Sequence, residues 1–266
     1  VTSPPSSVAN AFERRAERAA ALAPQSPAAE GPLAFAAGLY REQGAICAAI
    51  ERAHGGRPLT GRIDDDLPSF ADRLGGLLRF AADRGPAPLR EQAHARAAER
   101  AASWLVPWWR NGAASAREDY LARAALRPYA EVLAARRLAP DRTLRAHACP
   151  FCGGAPWIAH RRAVSDGDGG ARFLDCALCG GEWQVTRIHC PSCDEADPVK
   201  LPTFQSDRYP AVRIEACANC HGYVKSIDLS LDARLIPEVD DLVSVSMDLW
   251  AADEGYTRIE PGLAGI

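Results

Sequence analysis

The chain has 266 residues, 47% of them hydrophobic and 24% charged, with a formal net charge of −3. That length suits about two domains with a buried core, and the composition is ordinary for a globular protein. No apolar run reaches the ~20 residues of a membrane helix, and the first residues lack the basic-then-apolar pattern of an export signal, so a cytoplasmic protein without a membrane span is expected.

Charge is spread unevenly. Residues 1–148 hold 21 arginines against 16 acidic groups, whereas residues 149–266 hold 10 Lys and Arg against 18 acidic groups. An acidic second half repels a phosphate backbone, which argues against nucleic acid as a partner.

Residues 1–6 and 24–32 are rich in Pro, Ser and Ala and read as a loose start and a linker, on either side of a helix over Val8–Ala23. A second helix over Leu33–Ala53 places Phe35, Leu39, Ile46 and Ile50 near helical spacing and ends at a Gly-Gly-Arg-Pro loop, 55–58. Its lone Cys47 reads as a small core residue. Leu67–Arg84, Leu89–Trp109 and Ala116–Leu138 are three further helical stretches, and Pro107 and Pro128 should end or kink the last two. Asp64, Asp65 and Asp66 stand where acids cap a following helix. Trp104, Trp108 and Trp109 bracket a helix end, which reads as packing. This half holds no catalytic constellation.

From Arg145 the pattern changes to short strands and turns. Trp157–Arg162, Arg172–Asp175, Glu182–Ile188, Val212–Glu215 and Tyr223–Leu229 alternate as strands do, with a loop tip at Ser165–Gly170. Val239–Trp250 is spaced for one apolar helix face and should pack back on the rest.

Eight of the nine cysteines fall in four Cys-x-x-Cys pairs: Cys149/Cys152, Cys176/Cys179, Cys190/Cys193 and Cys217/Cys220. Shifting the first four positions by 41 residues gives the last four, so a four-cysteine unit occurs twice. Four thiolates from two tight turns suit one tetrahedral metal ion. The repeat favours pairing within each unit, although an interleaved arrangement stays open. Glycine after the second cysteine closes such a turn at positive φ, as at Gly153 and Gly180. Asp194 and His221 occupy the equivalent places, and Gly222 after His221 suggests a looser turn there. A disulfide framework would be odd at this spacing, and a thioredoxin-like fold would present one reactive pair opening a helix. All-cysteine sites most often only hold a fold together, and both iron and zinc accept four sulfurs.

The expectation is an α+β chain in four parts. An all-helical domain (1–145) precedes two small β-rich, rubredoxin-like or zinc-ribbon modules (146–188 and 189–230), and a helical segment (231–266) packs back. The modules hold too few apolar residues to fold unaided, so Cys149→Ser or Cys217→Ser should unfold its own module and spare the helical half.

The string Cys149-Pro-x-Cys152-Gly, Cys176-x-x-Cys179-x-x-Glu182-Trp183, Arg187-x-x-Cys190-x-x-Cys193 resembles the FdhE family of formate dehydrogenase accessory proteins. So do Glu215-Ala-Cys217-x-x-Cys220-x-x-Tyr223-Val-Lys225, Val239-Asp240-Asp241-Leu242, Glu254-Gly255-Tyr256 and, more loosely, Arg14-Arg15-Ala16-Glu17-Arg18. The resemblance implies a non-enzymatic maturation factor that binds the catalytic subunit of respiratory formate dehydrogenase in the cytoplasm. It also implies two rubredoxin-like metal sites on the eight cysteines, with iron favoured over zinc. Glu182, Trp183, Asp240 and Asp241 are candidates for the client surface, with strand packing and helix capping as their alternatives. A homodimer is compatible with the sequence. A zinc-ribbon adaptor for nucleic acid and a two-site rubredoxin-like electron carrier are the alternative readings.

Overall fold

Helices in the first half follow the apolar spacing, with turns set by proline and buried polar groups. A computed structural model describes residues 7–54, 58–112, 115–163 and 170–266. The loose start at 1–6, most of the loop at 55–58 and nearly all of the tip at 165–170 lie outside the described residues. Helix α1 (Val8–Leu22) begins at Ser7, whose hydroxyl accepts from the Ala9 N–H, and buries Phe12, Ala16 and Ala19. It packs along α2 (Glu30–His54). The stretch read as a linker instead forms two short 3-10 turns at Ala23–Gln25 and Pro27–Ala29, where proline supplies the φ that opens a turn.

After a single turn, α3 (Ile63–Asp66), come α4 (Leu74–Arg84), α5 (Ala87–Ala97), α6 (Ala101–Arg110) and α7 (Tyr120–Arg136). The continuous helix expected over Leu89–Trp109 breaks at residues 98–100, which contain neither Pro nor Gly. Arg100 is extended there, and α6 buries Trp104, Trp108 and Trp109. Pro128 neither ends nor visibly breaks α7. Lacking an N–H, it frees the carbonyl four residues earlier, and the Gln43 amide donates to that Ala124 oxygen at 2.8 Å. Asp66 does not cap a following helix. It accepts from the Thr60 and Gly61 N–H groups and from the Tyr129 hydroxyl at 2.7 Å, which pins the loop to α7.

The second half builds β1 (Pro156–Arg162), β2 (Ala171–Cys176), β3 (Glu182–Val185), β4 (Thr203–Gln205), β5 (Val212–Ala216), β6 (Gly222–Asp228) and β7 (Thr257–Arg258). All seven belong to one sheet in the order β3-β2-β1-β6-β5-β4, with β7 on β6. The two cysteine units are therefore joined edge to edge. β1 of the first lies parallel to β6 of the second, with Ile158 beside Lys225 and His160 beside Ile227. Each unit covers an edge that would otherwise present unpaired backbone groups.

The C-terminal helix is interrupted: α8 (Pro237–Asp240), a 3-10 turn (Asp241–Ser244) and α9 (Val245–Asp253). The Lys225 ammonium donates hydrogen bonds to the carbonyls of Asp241 and Ser244 at 2.8 and 3.4 Å, where the regular ladder is lost. The main core runs from Phe12 and Leu33 through Trp109 and Tyr129 to Trp157, Ile158, Val239 and the cysteines of the first four-cysteine unit. A smaller core under the second unit joins Val212, Ile214, Tyr223 and Ile227 to Met247 and Ala251 of α9. No helix among the described residues is long and apolar enough to cross a membrane.

Candidate metal centres

All four cysteine turns share one backbone design. The N–H after the second cysteine donates to the carbonyl of the first: Gly153 to Cys149, Gly180 to Cys176, Asp194 to Cys190 and His221 to Cys217, at 2.9 to 3.2 Å. The N–H of the first cysteine donates to the carbonyl five residues on, at 2.8 or 2.9 Å in all four. φ is +69° at Gly153, +64° at Gly180, +61° at Asp194 and +56° at His221. The turn at His221 is thus no looser than the others, contrary to the expectation from Gly222. His221 bears the left-handed conformation itself, which costs a residue with Cβ about 1–2 kcal/mol. His221→Gly should leave stability unchanged or raise it by up to ~1 kcal/mol, whereas His221→Val should cost about 1–2 kcal/mol. Thermal unfolding of the metal-loaded variants measures both. Gly154 has a separate reason: a Cβ there would lie 2.6 Å from the Cys176 sulfur.

The turns pair within each unit, so the interleaved alternative is absent. Cys149, Cys152, Cys176 and Cys179 form one cluster, and Cys190, Cys193, Cys217 and Cys220 the other. Sulfurs stand 3.7 Å apart for Cys149 and Cys179, 3.5 Å for Cys152 and Cys176, and 3.7 Å for both Cys190–Cys220 and Cys193–Cys217. Metal–sulfur bonds of about 2.3 Å in a tetrahedron require edges of about 3.8 Å, so both sulfur sets fit one ion each. Backbone N–H groups aim at the sulfurs, with Leu178 and Cys179 on Cys176, Ser192 on Cys190 and Gly222 on Cys220, all at 3.4 Å. They stabilise thiolate charge. Burial opposes ionisation of Cys193, but hydrogen bonds from the Glu195 backbone and the Asn219 amide outweigh it and bring the thiol down to about 7.

The clusters differ in access. All four cysteines of the first are buried, beneath the helical half, whereas Cys193 is half-buried and Cys220 exposed in the second. Arg142, with its charge in the buried first site, donates to the Cys152 carbonyl at 3.0 Å and to that of Trp109 at 2.7 Å.

The residues expected at a client surface fall in two places. Glu182 and Trp183 lie on β3, the sheet's terminal strand, where Glu182 is exposed and pairs with Arg162, and Trp183 is half-buried. Asp240 is buried and bonded to Arg18 at 2.5 and 3.1 Å. Asp241, 2% exposed, meets Lys225 at 3.0 Å and Arg258 at 2.9 Å. Asp248 completes that group, 2.6 Å from Lys225. A second network holds the helical half to the C-terminal segment. Arg15 bridges Glu131 at 2.8 Å and Glu238 at 2.5 Å, and Arg127 meets the same two carboxylates. Sequence reasoning missed this group: Arg127 and Glu131 form an ordinary i,i+4 pair, and nothing in local spacing links them to Arg15 or Glu238, more than a hundred positions away.

Two repeated four-thiolate knuckle units, fused in one sheet and seated on a helical base, define a tandem cysteine-module protein. Comparison with known proteins carries this further. The model of the FdhE central domain matches residues 148–187, and that of the FdhE C-terminal domain matches residues 188–263. Residues 148–263 thus match the central and C-terminal domains of the FdhE family. It is 35% identical to the Protein FdhE homolog of Aquifex aeolicus over 117 residues, 44% of this chain and 41% of that one. It is also 35% identical to the homolog of Pseudomonas aeruginosa over 119 residues, 43% of this chain and 38% of that one. The matched stretch thus spans about two-fifths of these relatives' length. The crystal structure of the FdhE protein from Pseudomonas aeruginosa superposes with a TM-score of 0.68 at 24% identity, over 96% of both chains. That likeness extends the shared fold to the helical half.

Proposed function

We propose that this protein is an accessory factor that binds the catalytic subunit of a respiratory formate dehydrogenase during maturation, and that each four-cysteine cluster holds one metal ion, iron in preference to zinc. When bound, the ion supplies a fixed tetrahedral cross-link and, if it is iron, a one-electron couple. The observation that carries the reading is the asymmetry of the two clusters within an FdhE-type sheet: one is sealed in the core, and the other opens to the surface.

The open cluster adjoins an apolar face suited to a client. Tyr256 lies 6.1 Å from the His221 ring, Phe204 lies 6.0 Å from Tyr256, and Trp250 lies edge-on to Phe204 at 4.8 Å. Trp250 is 38% exposed, its neighbour Leu249 is 54% exposed, and Val199 is 89% exposed. Glu182 and Trp183 on the terminal strand extend the candidate surface at the other end of the sheet. Asp240 and Asp241 contribute by holding the C-terminal segment in place. The acidic balance of this half disfavours a nucleic-acid adaptor.

Capture of the purified catalytic subunit by the wild-type protein, by Trp250→Ala and by a Cys217→Ser variant tests the proposal. Binding should persist at moderate salt, because apolar contacts are not screened. Trp250→Ala should weaken it by about tenfold or more. No capture by wild type at any salt concentration would remove the reading.

A further inference from the structure

Beside the first cysteine cluster, on the sheet face turned toward the helical half, lies a cavity of about 190 Å³. Besides Arg127, Arg162 and Glu238, its polar wall holds a cluster of three groups outside the cysteine units' ligand sets: His160 on β1, Asp175 on β2 and Glu182 on β3. Strand register brings them together. Asp175 stands opposite Glu182, and His160 stands opposite Phe173, two residues before Asp175 and therefore on the same face. The His160 ring stacks on Phe173 at 5.2 Å and 12°, which fixes its plane. Asp175 lies 3.0 Å from Nδ1, and the tautomer in which Nδ1–H donates to this carboxylate leaves the lone pair on Nε2.

Nε2 is left without a hydrogen-bond partner, although His160 is only 2% exposed and lines the cavity. Its nearest charged atom is a Glu182 carboxylate oxygen at 3.4 Å, with no hydrogen bond between them. Ligand bonds of about 2.1 Å from one ion to two atoms 3.4 Å apart subtend an angle of about 110°, close to tetrahedral. A carboxylate behind the far nitrogen is the usual support of a metal-binding imidazole. Arg162 holds Glu182 at 2.9 Å, but a carboxylate has lone pairs enough to keep that contact and ligate an ion as well.

We propose that His160 Nε2 and Glu182, with Asp175 orienting the imidazole, form a third metal site for a divalent first-row transition ion. It is a nitrogen–oxygen site, chemically distinct from the two thiolate clusters, and water completes the coordination within the cavity. One imidazole and carboxylate oxygen favour zinc, cobalt, nickel or ferrous iron over the soft ions that prefer sulfur.

Titration with Co²⁺ of protein whose cysteine clusters are filled with two equivalents of Zn²⁺ tests this directly. A third equivalent should bind and show cobalt d–d absorption without an intense sulfur-to-cobalt charge-transfer band. Glu182→Gln, at a half-open position, should weaken that binding at least tenfold. Asp175→Asn should weaken it about 10–100-fold, and His160→Gln should abolish it. All three variants should keep two zinc ions, and should His160→Gln fail to fold, Glu182→Gln decides alone. The proposal is overturned if no third ion binds, if Glu182→Gln binds Co²⁺ as wild type does, or if the bound cobalt shows the thiolate band.

Discussion

Cys149→Ser should unfold far more of the protein than Cys217→Ser, although the two cysteines begin equivalent turns in the repeated unit. Equal and local effects are what the sequence alone leads one to expect. The packing argues otherwise. Cys149, Cys152, Cys176 and Cys179 are buried in the main core, continuous with Trp157, Ile158 and the helices through Trp109 and Tyr129. Cys217 and its partners lie outside both larger cores, with one exposed and one half-buried thiol. A four-thiolate zinc site supplies apparent binding free energy of about 10–16 kcal/mol near neutral pH, of the same order as the total stability of a domain. Loss of most of that at the first site should carry the helical half with it. Far-UV circular dichroism with metal counts should show early, broad melting of Cys149→Ser. Cys217→Ser should keep a cooperative helical transition and one ion. A chelator should likewise strip the second site before the first. Wild-type melting of Cys149→Ser, or equal helical loss in both variants, would contradict this account.

How far the sequence carried this picture depends on whether a feature was local. The two sulfur sites were legible because their ligands recur at fixed spacing, and a metal site imposes that spacing regardless of surroundings. Helices α1, α2 and α7 were legible from apolar periodicity, within a few residues at their ends. The break before α6 was not, because it answers to the burial of three tryptophans and leaves no Pro or Gly behind. Pro128 misled for a related reason: its helix continues because a glutamine from α2 satisfies the carbonyl that proline abandons. The fusion of the modules through β1 and β6 left no trace in the pattern, since each strand alternates the same way whether its edge is free or covered. Asp241 showed the limit at the level of one side chain. Its neighbourhood is acidic in sequence, yet its charge is answered by Lys225 and Arg258 from different strands. His160 stood in an ordinary strand pattern, and only the register of β1, β2 and β3 brings it to two carboxylates.

Glu238→Gln should destabilise the protein by about 3–5 kcal/mol at neutral pH, the usual consequence of removing one partner from a buried ion group. Glu238 stands between half-buried Arg15, 2.5 Å away, and buried Arg127, which it contacts, and also accepts from the Tyr40 hydroxyl at 2.8 Å. Without its charge, two guanidinium groups share Glu131 alone. The Arg15–Glu238 and Arg127–Glu238 pairs also tie the first and last parts of the chain together, so the loss should loosen α8 and the segment that seats the sheet. The pH dependence follows from the ionisation of Glu238. Burial alone would raise its pKa, but the charges of Arg127 and Arg15 outweigh burial and hold it below the ordinary value. A carboxyl with a depressed folded-state pKa contributes fully above its unfolded value of about 4.3, and the contribution fades as pH falls through the folded value. The gap between wild type and Glu238→Gln in urea unfolding should therefore be widest at neutral pH and narrow below about pH 4. Protonation of the cysteine thiolates affects both proteins alike, so the difference isolates the carboxylate. A gap that stays constant from pH 7 to pH 3, or that is below about 1 kcal/mol throughout, would show that Glu238 does not carry this charge in the folded protein.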